Sequence, residues 1–208
     1  MNRETWKIWA QVLGLILVLY VFLVSIGLLG GAFKLFGKEL AHQLIEMTSN
    51  PLVGLFAGIL ATTLAQSSST TTSIAVGMVA GGALTIEGAI PVIMGANIGT
   101  SVTNTLVSMG HITRKEEFNR ALAGATVHDF FNLIAVVLLL PLEIAYGYLQ
   151  FIAVHMATFF QGVGGMKFSS PLKAITKPAI SSLIDLLDKN PVLCLIAALV
   201  IMYVSLKF

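Results

Sequence analysis

Along the chain, long apolar runs are cut by short polar interruptions, and within each run the apolar residues are continuous. That pattern lacks the residue-by-residue alternation of a membrane β-barrel and predicts helices. Ile8 to Phe33 carries no formal charge and is long enough for a first, tilted spanning helix. Trp6 and Trp9 at its start suit a membrane-interface belt. A secretory signal is the competing reading, but the apolar core is long for one and Gly27 to Ala32 is a weak cleavage signature. Lys34 to Asn50 carries Lys38, Glu39, His42 and Glu46 at helical spacing, which predicts an interfacial helix. Ser49-Asn50-Pro51 then reads as a cap followed by proline at the first helical position. It opens a hairpin over 51–86 that ends around Gly81-Gly82. Beyond it the pattern predicts a broken helix over 87–109 and a helical region over 120–161. An amphipathic connector over 167–189 and a last apolar helix over 191–206 complete the chain. Gly110 to Arg120 reads as a charged loop, and the glycines from 162 to 165 as a break.

The deepest interruption is Gln66-Ser67-Ser68-Ser69-Thr70-Thr71-Thr72-Ser73, with apolar flanks on both sides and no charge from Met47 through Ile86. Each flank makes a helix of about 20 Å at ~1.5 Å per residue, short of the roughly 30 Å hydrocarbon core. The simplest geometry is a re-entrant hairpin with its polar tip at mid-depth. Non-helical backbone survives there only when buried in protein or lining a wet cavity, which makes the tip a candidate binding site. Two plainer readings stand beside it: a flexible linker, or an inert helix whose hydroxyls bond back to their own carbonyls. A linker commonly carries Gly, Pro or charge, and these eight residues have none.

A second interruption runs from Gly95 to Asn104. Asn97, Thr100, Ser101 and Asn104 fall at i, i+3, i+4 and i+7, one face of a helix. Helix–helix glue is the competing reading, since Asn and Thr bond between membrane helices and Gly95-x-x-x-Gly99 has the spacing of a close helix contact. Farther on, Asp129 is the only carboxylate between Arg120 and Glu143. An ionisable group inside a span faces a cavity or a partner. Its structural alternatives are a carboxylate held by His128 or a nearby hydroxyl, or a helix N-cap.

Composition sharpens this picture. The chain has 208 residues, 56% hydrophobic and 11% charged, with mean hydropathy +0.90. Ordinary soluble domains carry about 25% charged residues, so the fold class is an all-α polytopic membrane protein. A net charge of +2 gives no case for nucleic acid. The basic residues are spread over nearly every connector, so positive-inside counting leaves the orientation open. A single cysteine, Cys194, excludes an intramolecular disulfide and a cysteine-based metal cluster.

Ser and Thr hydroxyls donate one hydrogen bond and accept through two lone pairs, so one cluster can face an oxyanion and an alkali cation together. A half-helix that starts after the tip aims free N–H groups and its positive dipole end at the same spot. Broken helices meeting near the bilayer midplane are a recurrent transporter device.

Three stretches carry a family resemblance: Gln66-Ser67-Ser68-Ser69-Thr70; Ala89-Ile90-Pro91-Val92-Ile93-Met94-Gly95-Ala96-Asn97-Ile98-Gly99-Thr100-Ser101; and Ala123-Gly124-Ala125-Thr126-Val127-His128-Asp129-Phe130-Phe131-Asn132. In this order and spacing the chain resembles the type II sodium–phosphate cotransporter family, from about Leu44 to Lys189. Leu172 to Pro178 also looks like the connector after that family's first repeat. The resemblance implies sodium-driven secondary transport of inorganic phosphate by a multi-pass protein of the plasma or inner membrane. It implies no enzyme activity, transition metal or cofactor beyond sodium as coupling ion. Carried over, Gln66, Ser67, Ser68 and Ser69 bind phosphate. Ser68 and Thr70 are then sodium ligands; beyond that motif, Asn97, Thr100, Ser101 and Asn104 are read as the facing wall and further sodium ligands, and Asp129 as a sodium-linked carboxylate. The family has two inverted repeats, each with its own Gln-Ser-Ser-Ser motif, whereas this chain shows one. The implied partners are therefore phosphate, sodium, the lipid bilayer, and a second repeat or an oppositely oriented second copy.

Two other functions compete. An intramembrane hydrolase would use a serine from Ser67 to Ser69 with His128 or His155 as base, though no Gly-x-Ser-x-Gly elbow is present. A non-transporting scaffold or regulatory subunit is the other.

Overall fold

The apolar runs become helices in the computed structural model, which describes residues 3–109, 113–162 and 171–207. Among the described residues these are α1 (Arg3–Phe36), α2 (Lys38–Thr48), α3 (Pro51–Ala65), α4 (Ser68–Gly81), α5 (Ile86–Met109), α6 (Lys115–Tyr146), α7 (Tyr148–Gly162), α8 (Pro171–Leu186) and α9 (Pro191–Lys207). Among them Trp6–Phe36 and Lys115–Tyr146 are each long and apolar enough to cross a membrane; α2 and α3, bent by 104°, make a third if taken as one span.

Local chemistry sets the ends. Asn50 caps α3, its side chain accepting from the Leu52 N–H at 3.0 Å with Pro51 next in line. That satisfies one of the orphan amides of the first turn. Gly82, at φ 76, closes α4 in the left-handed region that glycine adopts without strain. The buried Glu143 carboxylate accepts from the backbone N–H groups of Leu149 (2.7 Å) and Gln150 (3.1 Å), so it caps the start of α7 across the Gly147 turn.

Two packing arrangements position the site. α3 and α5 run in the same direction with their backbones nearly touching. A Cβ at Gly58 would stand 2.0 Å from the Val92 carbonyl oxygen, and one at Gly95 would stand 2.0 Å from that of Leu55. The close helix contact read from Gly95-x-x-x-Gly99 is therefore present, with Gly54 and Gly58 answering it from α3. α1 and α4 also run in the same direction, Gly77 lying against Leu29 and Gly81 against Gly30 and Phe33. α9 packs on α1 around Leu28, Leu29, Ala32, Cys194 and Ala198. α6 lies antiparallel to α5 and leaves Val127, Phe130, Phe131, Ile134, Val137 and Leu138 exposed, the face that lipid would cover.

Three expectations differ from this structure. α5 runs unbroken from Ile86 to Met109 where a broken helix over 87–109 is predicted. Pro91 lies early in it, so its missing N–H costs one hydrogen bond, to the Glu87 carbonyl, without ending the helix. The charged stretch is mostly helix: α6 starts at Lys115, and Glu116 and Glu117 occupy its first turn, where the helix dipole favours acids. That start also removes the N-cap alternative for Asp129, which lies well inside α6. The first residues of the charged loop (110–112), most of the glycine break and the beginning of the 167–189 connector fall outside the described residues.

Candidate functional site

The chain reverses at the polar run. α3 ends at Ala65, Gln66 takes left-handed angles (φ 53, ψ 28), Ser67 is extended (φ −154, ψ 107), and α4 begins at Ser68. A non-glycine residue at positive φ is uncommon and marks a constrained turn. The Thr62 and Thr71 hydroxyl oxygens lie 2.9 Å apart although nine residues separate them. In one straight helix that separation would be about 13 Å, so α3 and α4 form a hairpin.

The hydrogen bonds at the tip sort donors from acceptors. Ser67 Oγ accepts from the Thr70 N–H at 3.2 Å and from the Thr70 hydroxyl at 2.9 Å. It caps α4, and with both lone pairs engaged what it can still offer is its own proton. Thr70, having donated its proton, keeps lone pairs for a cation. Thr71 N–H bonds to the Ser67 carbonyl at 3.2 Å. Of the first-turn amides, those of Ser68 and Ser69 are left open by helix geometry. Gln66 and Ser69 are exposed, while Ser67, Ser68 and Thr70 are half-buried. Proton donors, two amides and the positive end of α4 converge here, which suits an oxyanion without any basic side chain.

The stripe on α5 is divided rather than assembled into one wall. Ser101 is buried and turns to α6, where Asn132 Nδ2 donates to its hydroxyl at 2.7 Å and His128 Nδ1 lies at 3.5 Å. Asn132 Nδ2 also reaches the Asn97 carbonyl at 3.1 Å. The Thr100 hydroxyl bonds back to the Ala96 carbonyl at 3.3 Å. The side chains of Asn97 and Asn104 are exposed.

One turn farther along α5, the Thr105 hydroxyl donates to Asp129 Oδ2. The other oxygen, Oδ1, is buried and has no hydrogen-bond partner. Asp129 lines a cavity of about 260 Å³ with Ser101 and Thr126 among apolar neighbours, and no tip residue is in its lining. A buried carboxylate oxygen with an unmet acceptor beside two hydroxyls has the hardness and charge to hold a small cation. The structure thus brings Asp129 to Ser101, and gathers Gln66 to Thr70 separately. Among the described residues no group of three or more His, Cys, Asp or Glu is placed to hold a metal ion.

Sequence reading missed Thr62, Thr105 and Asn132 as members of these clusters, and placed Thr71 in the polar run without a role of its own. Thr62 resembles any hydroxyl in a membrane helix, and Thr105 and Asn132 matter only once α5 and α6 are paired. The hydrolase pairing is not assembled: His128 stands beside Ser101, and the His155 ring bonds to the Phe151 carbonyl at 2.8 Å.

Comparison with known proteins bears on what these clusters serve. The model of a family described as Na+/Pi-cotransporter matches residues 21–168. The chain is 49% identical over 175 residues to sodium-dependent phosphate transport protein 2B of Homo sapiens, across 83% of this chain and 25% of that protein. It is 49% identical over 175 residues to sodium-dependent phosphate transport protein 2A of Ovis aries, across 83% of this chain and 27% of that one. With the 2B protein of Bos taurus the identity is 48% over 179 residues, 85% of this chain and 26% of the relative. The chain spans about a quarter of the length of these curated relatives. No solved structure matches it.

Proposed function

The chain belongs to the Na+/Pi-cotransporter family, and we propose that it is one inverted-repeat half of a sodium-coupled importer of inorganic phosphate in the cell membrane. In this reading α3 and α4 form a re-entrant hairpin and phosphate binds at its tip. Ser67 donates through its hydroxyl and Ser68 and Ser69 through their open amides and hydroxyls, while Gln66 closes the site with its side-chain amide. Sodium binds next to it through oxygens of Ser68 and Thr70, and a second cation position lies at Asp129 with Ser101 in the α5–α6 cavity. Sodium is needed because an anion stripped of water at mid-membrane is costly unless a cation stands near it. Asn97, Thr100 and Asn104 line the side on which a second repeat, or an oppositely oriented copy, completes the site.

One observation carries the mid-membrane placement. The register of Gly77 on Leu29 and Gly81 on Gly30, carried back along the parallel pair, sets Ser68 level with about residue 20 of α1. Trp6 and Trp9 then lie roughly 17–21 Å beyond the tip, and Gly82 lies about 21 Å on the opposite side, at ~1.5 Å per residue. In this reading Trp6 and Trp9 form the interface belt, and the tip is equidistant from them and from the end of the hairpin, across a span that would match a bilayer with its headgroups.

The test uses the full chain in proteoliposomes with several copies per vesicle, measuring radiolabelled phosphate binding. Binding is expected in sodium, absent when potassium replaces it, and lost in Ser68→Ala. Binding indifferent to sodium and to Ser68→Ala contradicts the proposal. At one copy per vesicle no uptake is expected; sodium-dependent uptake there overturns the half-transporter reading.

A further inference from the structure

Behind the tip lies a directed relay of hydroxyls. Thr62, fully buried on α3, donates to the hydroxyl of Thr71, which is 4% exposed, at 2.9 Å. Thr71 in turn donates to the Ser67 carbonyl at 3.2 Å. Thr62 is held from the far side by α5: a Cβ at Gly99 would stand 2.8 Å from the Thr62 Cβ, so only glycine lets the helices close over it. The relay runs from the interior of α3 to the backbone of the residue that caps α4. It ends where the chain is conformationally costly, at the junction of left-handed Gln66 and extended Ser67.

We propose that Thr62 and Thr71 are positioning residues for the anion site, a clasp that fixes the Gln66–Ser67 turn and so aims the Ser67 proton and the Ser68 and Ser69 amides at one point. Neither threonine touches the ligand. The inference rests on the phosphate reading of the tip. Its chemistry is that of a preorganised donor set: a turn free to sample other conformations would present the same groups, but only part of the time.

The experiment uses the full chain in proteoliposomes with several copies per vesicle and has two readouts. One is hydrogen exchange of the amides from Gln66 to Thr71, and the other is sodium-dependent phosphate affinity. Thr71→Val leaves the buried Thr62 hydroxyl without its acceptor, and Thr62→Val leaves the Thr71 hydroxyl without its donor. Each is expected to speed exchange at the tip and to weaken phosphate about tenfold with the number of sites unchanged. Thr62→Ser and Thr71→Ser restore both readouts. The double variant Thr62→Val/Thr71→Val removes both hydroxyls, so its thermal stability recovers toward the original, but with only the residue-71 N–H left on the Ser67 carbonyl and the hydroxyl bond gone, its phosphate affinity stays low. Recovery of affinity along with stability overturns the clasp and leaves the pair a packing contact. Valine variants with unchanged tip exchange overturn it as well. If the unaltered chain binds no phosphate, the phosphate reading fails, while tip exchange in the valine and serine variants still decides whether the clasp holds the turn.

Discussion

At the α3–α4 tip every hydrogen bond closes within ten residues: Thr70 to Ser67, Thr71 to Ser67, Thr62 to Thr71. Between α5 and α6 the contacts span 24 to 35 residues: Thr105 to Asp129, Ser101 to His128, Asn132 to Ser101 and to the Asn97 carbonyl. Both are polar insertions in an apolar bundle, and at the proposed depth in the bilayer both must be satisfied internally because lipid offers no partners. The tip does this within one hairpin and ends with donors to spare. The α5–α6 ladder does it by joining two long helices and ends with an acceptor to spare, Asp129 Oδ1. On the proposed function the pair would divide the work by charge: surplus donors suit an anion, a surplus acceptor a cation.

The largest change would remove the helix contact on which both depend. Gly58→Leu drives a side chain into the Val92 backbone, which cannot yield as a flexible side chain could. The expected cost is about 3 kcal/mol or more, seen as loss of a monodisperse thermal transition in detergent; a folded, equally stable variant would refute the α3–α5 contact. A smaller change separates the two regions. Asn132→Leu takes the amide donor from the Ser101 hydroxyl and from the Asn97 carbonyl, which keeps only the Ser101 hydroxyl at 3.4 Å as a side-chain donor, and is expected to cost about 1–2 kcal/mol. Hydrogen exchange should quicken along α5 and α6 while the Gln66–Thr71 amides keep their protection. Equal loosening of both regions would show that the tip is not self-contained. The smallest is Ser67→Ala, which removes the α4 cap for about 1 kcal/mol. Faster exchange is expected in the first turn of α4 and nowhere in α6, and spread into α6 would break the distinction from the other side.

The same contrast explains what could be read without coordinates. Eight consecutive polar residues between apolar flanks announce a chain reversal, and Asn50-Pro51 and Gly82 mark the hairpin's limits, because those signals are local. Gly95-x-x-x-Gly99 likewise disclosed a close helix contact, though not that Gly54 and Gly58 face it. The role of Asn132 was not legible, since an asparagine mid-helix acquires meaning from Ser101 on another helix. The broken helix expected over 87–109 is absent: the polar stretch from Gly95 to Asn104 does not interrupt α5, and the one hydrogen bond lost at Pro91 near the helix start is tolerated when the helix is packed along its length. The wall expected from Asn97, Thr100, Ser101 and Asn104 assumed that one helical face has one neighbour. Ser101 instead serves α6, while Asn97 and Asn104 are left exposed.

The division by charge is tested most directly by titrating sodium against phosphate binding in proteoliposomes of the unaltered chain, Ser68→Ala and Asp129→Asn. Asp129→Asn is expected to raise the sodium concentration required about tenfold while phosphate affinity at saturating sodium is retained. Ser68→Ala is expected to abolish phosphate binding at every sodium concentration. Loss of phosphate binding in Asp129→Asn that no sodium concentration restores, together with normal binding in Ser68→Ala, would put the anion at the wrong cluster and contradict the account.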